Sequence, residues 1–189
     1  GGRSNTAQGW GLADESWRVI GALGELGGDT WFRLGDLDIE THLYRLSRLR
    51  AGAHLTTITD ELCHRYGVRH AVWPMADAPV RTMVQVSSGP LKGELPFQHY
   101  FVRERCEPPV SGFRFAGIDS AAPQQRMLDL IDGGRVEAIV ICPSNPFVSV
   151  DPILMLPGLR QRLRSTGVPI VAVSPIVGGR ALKGPAAKM

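Results

Sequence analysis

The chain has 189 residues, of which 43% are hydrophobic and 21% charged, with a formal net charge of +3 and a mean hydropathy of −0.03. These values exclude a disordered or fibrous chain and favour a globular one. There is no run of basic residues interleaved with aromatic ones, and apolar stretches such as residues 138–142 are far too short to cross a bilayer. We therefore predict a cytoplasmic protein with no nucleic-acid or membrane partner.

Helices are predicted for the first third of the chain. Apolar residues at three-residue steps predict a first helix that ends at the glycine pair 27–28. A short extended piece at residues 30–34 leads to a second helix over about residues 38–51. Thr56 and Thr57 are predicted to cap a third helix.

The middle of the chain changes to strand-like composition. Residues 68–75, 80–86 and 97–103 are rich in β-branched and aromatic residues, with turn residues between the last two segments. We predict a small antiparallel excursion at about residues 68–107, ended by the proline pair 108–109.

The last third predicts a βαβ unit. Residues 124–131 have a helical pattern, and residues 136–142 form a nearly continuous apolar run typical of a parallel strand covered on both faces. A helix over about residues 151–164 and a second buried strand at residues 168–174 follow. The fold class is therefore α/β, within a single domain over residues 1–189.

Two polar loops follow the predicted parallel strands, where ligands bind in open sheets. The first contains Ser144 and Asn145 and the second contains Ser174, Gly178 and Gly179. Hydroxyl, amide and backbone N–H groups can hold phosphate or carbonyl oxygens, and two further residues of the second loop, Arg180 and Lys183, can neutralise anionic charge. The alternative is that both loops are plain turns, since serine, asparagine and proline are ordinary turn residues.

A polar stripe is predicted on the second helix. At about 100° per residue, Asp38, His42 and Arg45 share one side with Thr41, beside an apolar stripe of Ile39, Leu43 and Leu46. This pattern favours a ligand-lining role, and Asp36 is a further candidate. Capping of the helix by Asp36 or Asp38 is the alternative. The two carboxylates are too few to hold Mg²⁺ unless phosphates and waters complete its shell.

The three cysteines include no CxxC pair, and Cys63, Cys106 and Cys142 are each in an apolar or strand-like context. We predict reduced, buried thiols.

Several of these segments together resemble the 2-phospho-L-lactate transferase family. The segments are residues 34–45 (LGDLDIETHLYR), 143–146 (PSNP), 148–149 (VS) and 173–179 (VSPIVGG), together with residues 9–11 (GWG) and the segment 97–98 (FQ). The resemblance covers almost the whole chain.

The resemblance implies a Rossmann-like α/β fold and a step in the biosynthesis of coenzyme F-420. In that step a phospholactyl or phosphoenolpyruvyl group moves from a guanosine-diphosphate-activated donor to the deazaflavin Fo, GMP leaves, and Mg²⁺ assists. The small-molecule partners are thus Fo and the activated donor, and the two three-carbon groups stay open as alternatives. A homodimer is a further expectation.

The resemblance also implies roles for residues. The donor pocket would be lined by Ser144, Asn145, Ser174, Gly178 and Gly179. The acceptor side would be formed by catalytic Asp36 and Asp38 and by substrate-binding His42 and Arg45.

The chain departs from the family in two respects. Leu37 stands where the family often has a basic residue. A glycine-rich first strand-loop and an aspartate-rich segment associated with metal are expected but do not precede residue 9. We therefore expect a fragment that is weakly active or inactive alone, with the main metal ligands at unknown positions. A non-enzymatic nucleotide or nucleotide-sugar binding regulator and an inactive remnant are the alternative functions.

Overall fold

The computed structural model describes residues 12–178 and 180–181, the last two by their backbone alone. The chain divides into two compact units, Gly1–Ile58 and Thr59–Met189.

The first unit is helical. Helix α1 spans Arg18–Glu25 and helix α2 spans Asp36–Arg50, which confirms the two predicted helices with slightly different ends. Acidic residues lie in the first turn of α2 and basic residues in its last turn, the arrangement that the helix dipole favours. After α2, Gly52 adopts a φ of +85°, which lets the chain leave the helix.

Three expectations for this part of the chain were wrong. Helix α3 spans Leu55–Arg65, so Thr56 and Thr57 lie inside its first turn and do not precede it. Residues 30–34, expected to be an extended piece, contain bends at Trp31 and Phe32. Leu43 and Leu46, expected on the apolar stripe facing the core, are exposed.

A three-stranded antiparallel sheet forms the first part of the second unit. Its central strand is β1 (Arg81–Val86), flanked by β2 (Gly93–Pro96) and β3 (Val110–Ala116). The pairing places Val84 opposite both Leu95 and Phe113. An antiparallel sheet is therefore present, but two of its three strands differ from the prediction and the sheet extends beyond residue 107.

Residues 97–103 are helical, with a π-helix over His99–Arg103, although a strand was expected. The physical reason is the spacing of the aromatic residues. Tyr100 is fully buried beside Val84, and the rings of Phe97 and Phe101 stack 5.4 Å apart, one helical turn from each other. Gln98 and His99 consequently lie in a helical turn and do not alternate across a strand.

Residues 68–75, also expected to form a strand, are irregular. Pro74 has no N–H group for a strand ladder, and the Met75 carbonyl accepts instead from the Gln124 N–H at 2.9 Å. Ala76, next along the chain, is buried in the main core of this unit.

The predicted βαβ unit is confirmed by a parallel strand pair. Strand β4 (Ile139–Ile141) pairs in parallel with β5 (Ile170–Ala172), and both are shorter than predicted. Before β4 lies α4 (Gln125–Asp132), where a helix was predicted. The single helix predicted over residues 151–164 is two helices, α5 (Asp151–Leu154) and α6 (Leu159–Ser165), separated at Gly158 with a φ of +75°.

The core of the second unit lies beside the helices and not around the parallel strands. Phe115, Ile118, Leu128, Leu156 and Leu159 form its buried cluster. The expectation that β4 and β5 are covered on both faces was wrong for the described chain, because Val140 is 58% and Val171 53% exposed. Cys106 is buried, but the expectation of buried thiols was wrong for Cys142, which follows β4 and is exposed.

None of the helices formed by residues 12–178 has both the length and the apolar character needed to span a membrane.

Candidate functional site

Two side chains in the polar stripe of α2, those of His42 and Arg45, are in contact. A guanidinium nitrogen of Arg45 lies 3.1 Å from Nδ1 of His42, three residues earlier on the helix. Arginine can only donate, so Nδ1 of His42 accepts, and the neutral ring carries its hydrogen on Nε2. Desolvation lowers the pKa of His42, the Arg45 charge lowers it further, and the Asp38 carboxylate opposes both effects. The arrangement therefore favours a neutral imidazole whose Nε2–H is a hydrogen-bond donor.

Asp36, the further candidate, has a different environment from the residues of the stripe. Its Oδ2 accepts from the Ser16 hydroxyl at 2.7 Å, and its Oδ1 accepts from the Val19 N–H at 3.0 Å. These hydrogen bonds, that from Ser16 first, lower the pKa of Asp36. Both carboxylate oxygens therefore accept hydrogen bonds from the segment that begins α1. The contacts of Asp36 agree with the capping alternative, except that the helix it caps is α1 and not α2.

The sequence analysis missed the role of Glu15 at this position and its contact with Gly35. Oε1 of Glu15 accepts from the N–H groups of Ser16 at 3.1 Å and Leu37 at 3.4 Å. A Cβ at Gly35 would lie 1.9 Å from Cγ of Glu15, so the glycine leaves the space that Glu15 occupies. The only sequence signal for this contact is the Gly35–Asp36 pair, which was interpreted as a site motif and not as a close approach.

The two polar loops of the second unit leave the same edge of the parallel sheet. Ile141 pairs with Ala172, and the Val173 N–H donates to the Ile141 carbonyl at 3.0 Å, so both strands end together. Ser144 follows β4 after two residues, and Ser174 follows β5 after one. The sequence prediction that the two loops lie at adjacent strand ends is confirmed.

Asn145 forms the start of the helical turn that follows β4. Its Oδ1 accepts from the N–H groups of Phe147 at 3.0 Å and Val148 at 3.3 Å, which caps the π-helix Pro146–Val150. The side-chain amide oxygen is therefore already used to organise the loop, while the exposed Ser144 precedes it.

A cavity of about 350 Å³ lies beside this loop. Its walls are mostly apolar and include β4, Cys142, Ser144 and Ser149, with Ile153 and Leu163 from the helices that follow. Its size is in the range of small-molecule sites, and Ser144 and Ser149 are its hydroxyl-bearing residues.

The second loop forms a tight β-hairpin. Its short strands are β6 (Ile176–Val177) and β7 (Arg180–Ala181), paired antiparallel. Before β6, the Ser174 hydroxyl accepts from the Ile176 N–H at 3.1 Å, and Gly178 has a φ of +57° as the turn requires. Gly179, Lys183 and the side chain of Arg180 lie outside the described residues, as do residues 9–11 of the family resemblance.

No group of three or more His, Cys, Asp or Glu side chains within the described ranges is placed to hold a metal ion.

Comparison with known proteins identifies the relatives of this chain. Residues 21–189 match the family model described as 2-phospho-L-lactate transferase CofD. A phosphoenolpyruvate transferase of Streptomyces coelicolor is 38% identical over 190 residues, which cover 100% of this chain and 59% of that protein. Proteins of the same name are 37% identical in Mycolicibacterium smegmatis and 40% identical in Mycobacterium avium, each over 97% of this chain and over 57% and 55% of the relative.

The chain thus spans somewhat more than half the length of these relatives. Among solved structures, a member of the UPF0052 family from Bacillus halodurans has a TM-score of 0.53 at 17% identity, over 69% of this chain and 40% of that one. This similarity supports the α/β fold class.

Proposed function

The chain belongs to the 2-phospho-L-lactate transferase CofD family, and we propose that it transfers a phosphoenolpyruvyl group from a guanosine-diphosphate-activated donor to the deazaflavin Fo. The observation that carries the proposal is the family match over residues 21–189. The choice of phosphoenolpyruvate over phospholactate rests on the names of relatives at 37–40% identity.

The proposed step is a phosphoryl-type transfer. A ribityl hydroxyl of Fo attacks the phosphorus that carries the three-carbon group, the bond from this phosphorus to GMP breaks, and the hydroxyl proton leaves with a base. The products are a phosphodiester of Fo and GMP. Such a reaction depends on positioning and charge stabilisation more than on a protein nucleophile.

Within the first unit we assign the acceptor side to α2. Asp38 is the proposed base for the hydroxyl proton. His42 is proposed to donate from Nε2 to a substrate oxygen, and the Arg45 charge to offset negative charge on the transferred group. Support comes from the contact between His42 and Arg45 and from the lowered pKa of His42. Asp36 is predicted to be catalytic, but both of its carboxylate oxygens accept hydrogen bonds within the protein, which favours a role other than catalysis.

Within the second unit we assign the donor side to the loops that follow β4 and β5. Ser144, Asn145, Ser174 and Gly178 lie there, and Gly179 is carried by the resemblance alone. Support comes from the common edge at which the two strands end and from the adjacent cavity.

The described residues do not form a magnesium site by themselves, because no acidic cluster is present among them and both oxygens of Asp36 accept hydrogen bonds. The proposed requirement for Mg²⁺ therefore rests on the family, and we assign no step to the metal. A cytoplasmic location and a homodimer stay predictions.

The test is a product assay with purified protein, both as residues 1–189 and in its full-length form. Fo, Mg²⁺ and either the phosphoenolpyruvyl or the phospholactyl donor are supplied, and the phosphodiester and GMP are detected by mass. We expect the phosphoenolpyruvyl product from the full-length form and little or none from residues 1–189. If the full-length form gives neither product while the Streptomyces coelicolor relative does, the proposal is wrong. Binding of nucleotide sugars without binding of Fo, measured by calorimetry, would then favour the regulator.

A further inference from the structure

Helices α1 and α2 each begin without a side-chain cap of their own. Trp17 precedes α1 and Gly35 precedes α2, and neither caps its helix with a side chain. Four N–H groups at the start of every helix lack partners within the helix, so these groups need an acceptor from elsewhere.

Each helix receives its acceptor from the residues that begin the other. The Val19 N–H, in the first turn of α1, donates to Asp36, and the Leu37 N–H, in the first turn of α2, donates to Glu15. Two further hydrogen bonds close the arrangement. The Ser16 hydroxyl donates to Asp36 at 2.7 Å, and the Asp36 N–H donates to the Ser16 carbonyl at 3.0 Å.

We propose that Glu15 and Asp36 form a reciprocal cap that holds the first turn of α2 in place and thereby positions Asp38 and His42. Asp36 is then a positioning residue and not a catalytic one. The inference rests on the proposed function, because it leaves the substrate-facing role to the residues of the α2 stripe.

The packing at Gly35 supports this assignment. A Cβ there would lie 1.9 Å from Cγ and 2.1 Å from Cδ of Glu15. The Glu15 carboxylate can therefore approach the Leu37 N–H only because residue 35 has no side chain. Gly35 is buried, and Oε2 of Glu15 is also buried and has no hydrogen-bond partner among the described residues. One oxygen of the Glu15 carboxylate accepts from Leu37, and the other oxygen is buried. The local structure therefore leaves this carboxylate little freedom to move.

Proximity to the stripe gives the cap its functional consequence. Leu37, the residue that Glu15 holds, is directly followed by Asp38, and His42 lies one turn further along α2. Displacement of reacting groups by about 1 Å can lower a rate about 100-fold. Loss of the cap should therefore impair turnover as well as helix stability.

Substitutions at Asp36 separate positioning from chemistry. In Asp36→Asn the remaining oxygen can still accept from the Val19 N–H, and the new amide can donate to the Ser16 hydroxyl, whereas Asp36→Ala removes both contacts. Gln124→Ala is the matched control. The Gln124 side chain caps α4 by accepting from the Met127 N–H at 3.0 Å and has no proposed role in the reaction.

Two readouts are taken on the full-length form, with kcat and KM corrected for the folded fraction. Amide hydrogen exchange should accelerate at Val19 and Leu37 in Asp36→Ala but not in Gln124→Ala. For kcat/KM towards Fo we expect a loss of about 10-fold to 100-fold in Asp36→Ala, at most about threefold in Asp36→Asn, and none in Gln124→Ala.

The outcomes are distinct. An Asp36→Asn variant as inactive as Asp36→Ala would show that the carboxylate acts directly and would overturn the inference. Faster exchange in Asp36→Ala with unchanged kcat/KM would reduce the cap to a structural role and would also overturn it. If the wild type forms no product, the proposed function fails, while exchange at Val19 and Leu37 still decides whether the cap exists.

Discussion

Replacement of Gly35 by alanine should destabilise the first unit, in large part through its contact with Glu15. The backbone at Gly35 has φ −71° and ψ 164°, which alanine can adopt, so the cost is not backbone strain. The new Cβ would instead lie 1.9 Å from Cγ of Glu15, and Glu15 must rotate away from the Leu37 N–H.

The size of this effect follows from two contributions. Glycine is preferred over alanine before a helix, which costs about 0.5–1 kcal/mol, and loss of the Glu15 cap adds about 1 kcal/mol. We therefore expect Gly35→Ala to lower the free energy of unfolding by about 1.5–2 kcal/mol. Gly21→Ala is the matched control. A Cβ at Gly21 meets nothing within 4 Å, and Gly21 lies inside α1. There the same substitution should stabilise by about 0.5–1 kcal/mol.

Urea unfolding followed by tryptophan fluorescence measures both values, since Trp17 and Trp31 lie in the first unit. The decisive experiment is a double-mutant cycle with Glu15→Ala. In the Glu15→Ala background, Gly35→Ala should cost only the preference for glycine over alanine before a helix. The interaction energy between the two positions should therefore be about 1 kcal/mol. Equal costs of Gly35→Ala in both backgrounds would refute the role of Glu15.

Three further predictions concern the proposed site. Arg45 lowers the pKa of His42 and Asp38 raises it. In an NMR titration of the ring protons, Arg45→Met should therefore raise this pKa and Asp38→Asn should lower it. Shifts in the opposite directions would contradict the proposed interactions of His42 with Arg45 and Asp38. The pKa of His42 is lower in the folded than in the unfolded state, so His42 contributes stability above about pH 6.5 that is lost as the pH falls. His42→Gln should therefore flatten the decline of the urea midpoint between about pH 7.5 and 5.5. Asn145→Ala should cost about 1 kcal/mol through the lost cap, and Asn145→Asp should restore the cap. If Asn145 also contacts the donor phosphates, Asn145→Asp will be stable but raise KM for the donor, and an unchanged KM would remove this residue from the donor side.

The antiparallel part of the fold shows where sequence patterns are ambiguous. The segment over residues 97–103 has strand-forming composition, yet Phe97, Tyr100 and Phe101 are also spaced for one face of a helix. Which period is realised depends on the core that receives the side chains, and here Tyr100 is buried against Val84 of a neighbouring strand. The sequence alone does not indicate that Val84 will be the neighbour of Tyr100.

The candidate site shows a similar division. The α2 stripe could be predicted because residues three and four apart on a helix are neighbours whatever surrounds them, and the contact between His42 and Arg45 is of this kind. The common edge of the two polar loops could be predicted because parallel strands run in the same direction. The contacts of Asp36 could not, since Ser16 lies 20 residues away along the chain.

The sequence by itself determined the features that depend on neighbours along the chain: the helical first third, the polar stripe of α2, the parallel strand pair and the motifs of the transferase family. Only the tertiary structure decided which residues meet across long separations. It brought Glu15 to Leu37 and Ser16 to Asp36, and it left Val140 and Val171 exposed in the described chain. The physical reason is that local periodicity specifies which face a side chain occupies, whereas the partner on that face is fixed only when distant segments pack together.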